Sequence, residues 1–186
     1  EKVVLPEKLA SIGTCAFDSC NNLTDIELPS NLEYIGESAF ASSGVREVVI
    51  PASVGLIDYN AYRYSKLSKI TFEEGVSEIY SSAFYGTKLT SVKLPNSLEY
   101  LGSWAFADTL LSEVDFGSGL TDILSGTFYG TNLTSITIPA NIEYIGDEAF
   151  AYSNLKSVVF GNEAIYIGES AFCGCSIETL NIKDGT

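Results

Sequence analysis

The sequence predicts a repeat solenoid of about eight coils, each adding one strand to a parallel sheet. Three observations predict it. Phenylalanine recurs in one phase, at Phe17, Phe40, Phe84, Phe106, Phe128, Phe150 and Phe172, with Tyr62 in the one gap; the first step is 23 residues and the rest keep a period of 22. A fixed period of this size marks stacked units that cannot bury their apolar face alone. A second column keeps the same phase: Leu23, Val45, Leu67, Leu89, Leu111, Leu133, Leu155 and Ile177. From the third position after it apolar residues alternate, as at Ile136 and Ile138, which is strand periodicity.

One unit reads L-x-x-I-x-[IL]-P-x-x-[LVI]-x-x-I-G-x-x-A-F-x-x-[CST]. Residues 133–153, "LTSITIPANIEYIGDEAFAYS", meet it at every fixed position. The strand comes first, and Pro29, Pro51, Pro95 and Pro139 end it, because Pro cannot donate to a ladder. The second half lacks alternation, so one strand per period is expected, followed by a helical or tight turn that presses Phe inward. Ala precedes Phe in every unit except at Thr127, which implies close approach of neighbouring coils. The Gly column is broken by Asp58, Tyr80 and Leu124, so it does not require positive φ in every coil. The last column is Cys20, Ser43, Ser65, Thr87, Thr109, Thr131, Ser153 and Cys175, small side chains whose polar tips can bond backbone in a buried turn.

That column accounts for two of the four cysteines. Cys20 and Cys175 lie seven coils apart, about 34 Å at ~4.8 Å per strand, beyond the ~7 Å reach of a disulfide. Cys15–Cys20 is left open as a local bridge, and Cys173–Cys175 closes too short a loop. Free, buried thiols are the expectation, and nothing basic is near to activate them.

At 186 residues and 46% hydrophobic, the chain can bury a sizeable core, and one domain spanning 1–186 is expected. Its formal charge of −14, from 24 acids and 10 bases, repels phosphate backbones and anionic lipid. Nucleic acid is therefore excluded as a partner. Membrane insertion is excluded too, since no apolar run approaches the ~18 residues of a span. Histidine is absent, which removes the commonest general base and metal ligand together. Adjacent acids such as Glu73–Glu74 lack calcium-loop spacing, and no cofactor or metal is expected. Methionine is also absent, and neither end of the repeat carries a polar cap, so a piece of a longer modular chain is expected.

The unit resembles the BspA-type bacterial leucine-rich repeat. The likeness rests on "LTSITIPANIEYIGDEAFAYS" and on "LTDIELPSNLEYIGESAF" at 23–40, and it covers seven full-length periods plus partial ends. The resemblance implies an α/β-type, right-handed curved solenoid. Its parallel sheet would line the concave face, with short helical or irregular turns on the convex side. It implies a secreted or surface-displayed bacterial protein, a role in adhesion or protein binding, and no catalytic motif.

Two surfaces are candidates for that binding. On the sheet the outward columns carry Arg46, Glu47, Lys69, Thr71, Ser91, Lys93, Glu113, Asp115 and Thr137, a flat hydrogen-bonding face of mixed charge. The second lies in "LIDYNAYRYSKL" at 56–67 and the coils after it. Tyr59, Arg63, Tyr64, Tyr80, Tyr85 and Trp104 occupy variable columns there, and the period sets Tyr85 beside Arg63 and Tyr80 beside Asp58. Tyr, Trp and Arg are enriched at binding hot spots. Trp104 stands in a column expected to be exposed, whereas Tyr62 replaces a core Phe. Tyr34, Tyr100, Tyr144 and Tyr166 recur in one column and read as structural, each covering a neighbour's apolar edge.

Four functions compete. The leading one is a non-catalytic, monomeric interaction or adhesion module binding a host, extracellular-matrix or other protein. A glycan-binding module would use Tyr59, Tyr64, Tyr85 and Trp104. A structural spacer would bind nothing. An enzyme of the parallel β-helix kind should show several strands per coil, and only one strand-like segment per period is legible.

Overall fold

The computed structural model describes residues 2–161 and 165–182. Each coil has three sides. The first is the strand that follows the Leu column. Nine such strands run from Lys2–Val4 to Thr179–Ile182, and their pairing is parallel. The register matches equal positions one period apart, for example Val48 with Ile70 and Ile136 with Val158. Alternation sends Val48 and Ile50 inward and Glu47 and Val49 outward.

The second side was not expected. Among the described residues, eight two-residue strands line it as two parallel ladders, five strands from Ser11–Ile12 to Tyr100–Leu101 and three from Asp122–Ile123 to Tyr166–Ile167. In Tyr34–Ile35 and Tyr144–Ile145 the Tyr is partly exposed and the Ile buried. Two residues are too few to show alternation in sequence, so the segment read as part of the turn. The expectation of a single strand per period therefore fails, and with it the contrast drawn with parallel β-helix enzymes.

The third side is the turn through Ala-Phe, and among the described residues it contains no helix. It is instead a run of overlapping three-residue closures: Ala149 N–H donates to Gly146, Ala151 to Glu148 and Ser153 to Phe150. Alternate N–H groups reach the next coil, Glu148 to the Glu169 carbonyl at 2.9 Å, Phe150 to Ala171 at 2.8 Å and Tyr152 to Cys173 at 2.7 Å. The turn side is thus hydrogen-bonded from coil to coil, and in the inner coils the residue before Phe is a buried Ala, or Thr127, small enough for the backbones to approach closely.

This geometry needs two left-handed residues per coil, one before Ala and one two places after Phe. Twelve non-glycine residues take φ between 52° and 61°, all in these two columns, and Gly86, Gly126, Gly130 and Gly174 fill other places in them. Left-handed φ at the third position of a closed turn normally selects Gly or Asn. A bulky residue there costs about 1 kcal/mol or more.

The Gly column itself has ordinary φ, as its substitutions required. Glycine stands there for space: a Cβ on Gly102 would lie 2.4 Å from the Ser81 nitrogen of the preceding coil.

The core runs along the axis. Seven ring contacts join Phe17, Phe40, Tyr62, Phe84, Phe106, Phe128, Phe150 and Phe172 in one stack, with centroids 5.0–5.9 Å apart and planes within 13°. Phe72 and Phe160, which end their strands, and Phe116, which follows its strand, meet the stack edge-on at 83–89°. Burying each ring contributes about 1.5–3 kcal/mol, but only with a coil on both sides. Beside the stack, Thr87, Thr109, Thr131 and Ser153 donate to the carbonyl of the Phe three residues back, at 2.7–3.0 Å.

The cysteines correct one expectation. All four are free, but Cys15, Cys20 and Cys173 are exposed and Cys175 is only partly buried. The column of Cys20 and Cys175 is buried at Ser43 and Ser153, so for these two the difference is position: they lie in coils near either end of the stack.

Candidate binding surfaces

On the long-strand face, Arg46, Glu47, Lys69, Thr71, Ser91, Lys93, Glu113, Asp115 and Thr137 are all exposed. The register sets opposite charges side by side. Lys69 lies 3.7 Å from Glu47, and Lys93 lies 3.6 Å from Asp115. Exposed pairs of this kind stabilise by about 0–1 kcal/mol, and they leave a flat, locally neutralised surface. Val49, 54% exposed, is an apolar point within a shallow depression that also touches Glu27, Glu47, Lys69 and Thr71.

The aromatic candidates divide. Ring contacts place Arg63, Tyr64, Tyr85 and Trp104 on the turn side, and Tyr59 and Tyr80 at the short-strand face. On the turn side the Arg63 guanidinium sits 5.0 Å from the centroids of both Tyr64 and Tyr85. The two rings meet edge-to-face at 5.3 Å. Arg63 also donates to Asn60 at 3.3 Å, while its Nε is buried with no protein partner. Tyr85 donates its hydroxyl to the Asp108 carboxylate, which holds the phenol well above its ordinary range.

The line of rings continues beyond the residues singled out from sequence. Trp104 packs on Tyr129 at 5.2 Å, and Tyr129 on Tyr152 at 5.3 Å. Asp108, Tyr129 and Tyr152 were missed, although the period puts Tyr129 in the column of Tyr85 and Tyr152 in that of Tyr64.

Packing explains part of this aromatic content. Tyr64, Trp104 and Tyr152 all occupy left-handed positions. Each ring covers a glycine of the same column one coil on: an added Cβ at Gly86, Gly126 or Gly174 would fall 2.5–2.7 Å from ring atoms. Trp104 is consequently part-buried, not exposed as its column suggested. Tyr64 at 54% and Tyr152 at 58% still present much of their surface to solvent. Tyr62 is fully buried in the core stack, as its column required.

At the short-strand face, Tyr59 meets Tyr80 at 4.9 Å and Tyr80 meets Tyr100 edge-on at 5.7 Å. With Glu78 these rings line a shallow cleft. A hydrogen bond to Glu78 and its charge push the Tyr80 phenol up. One coil earlier Tyr34 donates to the Asp58 carboxylate, which raises its pKa to about 12. Asp58 also accepts the Tyr59 N–H at 2.7 Å, so the residue that broke the Gly column ties two tyrosines together. Tyr100 was read as structural, yet it is 42% exposed and forms one wall of the cleft. Among the described residues no cluster of His, Cys, Asp or Glu could hold a metal ion, and no helix is long and apolar enough to cross a membrane.

Stacked parallel strands, a period of 22 residues and a Leu column define a leucine-rich-repeat type of solenoid. The model of the BspA type leucine rich repeat region matches residues 1–109 and 77–186, and the chain belongs to that family. Among solved structures, the pneumococcal vaccine antigen PcpA superposes with a TM-score of 0.73 at 26% identity, over 98% of this chain and 50% of that one. A leucine-rich repeat protein from Bacteroides ovatus ATCC 8483 gives a TM-score of 0.75 at 21% identity, over 98% of this chain and 60% of that one. One from Eubacterium ventriosum ATCC 27560 gives 0.55 at 16%, over 86% and 56%. The chain spans only half to 60% of the first two proteins' lengths. No curated protein sequence matches it.

Proposed function

We propose that the chain is a non-catalytic binding module, part of a longer secreted or surface-displayed bacterial protein, that holds a host or extracellular-matrix protein in an adhesive contact. The observation that carries this reading is the turn-side row of Arg63, Tyr64, Tyr85, Trp104, Tyr129 and Tyr152. It combines the three residue types richest in hot-spot energy on one side of successive coils. Similarity to a pneumococcal antigen supports the surface location, and a chain without histidine supports the absence of acid–base catalysis. The paired charges of the long-strand face suit a second, rim-like contact with the same partner.

Capture of a glycan jointly by Tyr59, Tyr64, Tyr85 and Trp104 is the weaker reading, because the ring contacts put Tyr59 in a different group from the other three. The test is surface plasmon resonance of the immobilised chain against purified extracellular-matrix proteins and a glycan panel. Tyr64→Ala with Tyr85→Ala should abolish binding to the matrix protein while a cooperative thermal melt shows the chain still folded, at a melting temperature lowered by the lost ring packing. Binding that survives the double change, or binding to glycans alone, overturns the assignment.

A further inference from the structure

The repeat distributes charge unevenly between its sides. The segments that make the short-strand face in five successive coils are residues 33–38, 55–60, 77–82, 99–104 and 121–126. They contain Glu33, Glu37, Asp58, Glu78, Glu99 and Asp122, and not one Lys or Arg. In the same coils the long-strand face carries Arg46, Lys69 and Lys93, and the turn side carries Arg63. The short-strand face is therefore anionic on its own account, beyond the acidity of the whole chain.

The Tyr59–Tyr80–Tyr100 cleft opens in the middle of this face, with Tyr59 47% and Tyr100 42% exposed. An exposed row of tyrosines flanked by carboxylates is suited to an organic cation, which the ring faces attract and a carboxylate neutralises. The protein already uses this chemistry once. On the turn side the cation between two tyrosines is its own Arg63, 5.0 Å from each ring. On the short-strand face no basic residue of those coils is there to fill the equivalent place. Glu78 lines the cleft beside Tyr80, and its carboxylate has acceptor capacity for an ammonium or guanidinium.

We infer that the short-strand face docks a basic segment of a protein partner, with a Lys or Arg side chain seated among Tyr59, Tyr80 and Tyr100 against Glu78. The inference rests on the reading of the chain as a protein-binding module and adds a second contact of defined chemistry to it. The acidic row would steer the approach and set its salt dependence. The cleft would fix where along the row the basic segment stops.

The test is titration of a deca-lysine peptide into the intact chain at low and at physiological ionic strength, with deca-glutamate as the opposite probe. Deca-lysine should bind, more weakly as salt rises, and deca-glutamate should not. Tyr80→Leu and Tyr100→Leu should each weaken binding roughly 2- to 5-fold, the scale of one exposed cation–π contact. Glu78→Gln should weaken it as well, whereas Asp25→Asn, which removes the same charge from an exposed long-strand position outside the candidate sites, should not. Thermal melts check that every variant is folded, and Tyr100→Leu serves if Tyr80→Leu is not. Absence of deca-lysine binding overturns the inference. So does equal weakening by Glu78→Gln and Asp25→Asn, or binding unaffected by the tyrosine changes, since either means that only the diffuse field acts. These outcomes leave the matrix-protein assay untouched: failure there sinks the module reading, and failure here sinks only the cleft.

Discussion

Tyr62→Phe should stabilise the protein. Tyr62 is fully buried, its ring stacks on Phe40 at 5.0 Å and on Phe84 at 5.5 Å, and its hydroxyl has no protein partner. Burial alone drives its phenol pKa far up, as expected of a group without compensating contacts. The change keeps the ring, the stack and the backbone, and removes one buried polar group. A buried hydroxyl without a partner costs about 1–3 kcal/mol, so removing it should return that amount. At roughly 2–4 °C per kcal/mol for a chain of this size, the melting temperature should rise by about 2–12 °C. Calorimetry and urea melts would measure it, and the urea midpoint should move with no change in slope. The reverse change, Phe84→Tyr, should lower the midpoint by a similar amount. An unchanged or lowered midpoint for Tyr62→Phe would refute the reasoning, because it would mean that the hydroxyl is satisfied in solution.

The other expectations follow from the same columns. Thr109→Ala should cost about 1 kcal/mol by removing its 2.8 Å bond to the Phe106 carbonyl, whereas Ser65→Ala, whose Oγ is buried without a partner, should be neutral or stabilising in urea melts. Gly126→Ala should destabilise by more than about 1 kcal/mol, since it forces a Cβ into φ +63° and to 2.5 Å from the Trp104 ring. Trp104→Ala should relieve the steric share of that loss and leave the conformational share, which a double-mutant cycle would resolve. Tyr34 should ionise near pH 12 in an ultraviolet titration, and Asp58→Asn should bring it back toward 10. Because the folded-state pKa is the higher one, the stability from this pair is complete below pH 10 and is lost as pH rises from 10 toward 12. Lys93→Ala should change stability by under about 1 kcal/mol, since its partner Asp115 is exposed.

Most of the fold was legible because the period fixes which residues stack. The Phe phase anticipated the core ladder, down to Tyr62, and the Leu column anticipated the first sheet. The second side was hidden by its shortness: Glu78–Ile79 is a strand only because Leu56–Ile57 and Tyr100–Leu101 pair with it on either side. The turn is tight, one of the two forms its pattern allowed, but its two left-handed columns were not anticipated. Asn60, Asp108 and the glycines Gly86, Gly126, Gly130 and Gly174 are residue types that favour left-handed φ, yet most places in those columns hold Ser, Tyr, Trp, Glu or Cys, which do not mark it. In the neighbouring Gly column the constraint is space and not conformation. The thiols misled because a column's burial is a property of stacked neighbours, and the cysteines occupy the outer coils.

Binding residues are harder to read in a solenoid, since folding and recognition draw on the same columns. An aromatic in a variable column satisfies both descriptions until its contacts are known. Tyr64, Trp104 and Tyr152 separate the two: each ring gives one face to a glycine of the next coil, so folding alone supplies a reason for it. Tyr59 and Tyr100 have no glycine in their column one coil on, Gly102 meets the backbone of Tyr80 and not its ring, and the three rings lean on one another at the surface. Beside them stand Asp58 and Glu78, in columns where other coils carry Gly or Tyr: Asp58 accepts the Tyr34 phenol and Glu78 lines the cleft with the three rings. Departures that cluster in space, and that the stack does not itself consume, are the stronger mark of recognition. By that criterion the cleft, only half-visible in the sequence, has a better claim to selection for binding than Trp104, the single tryptophan of the chain.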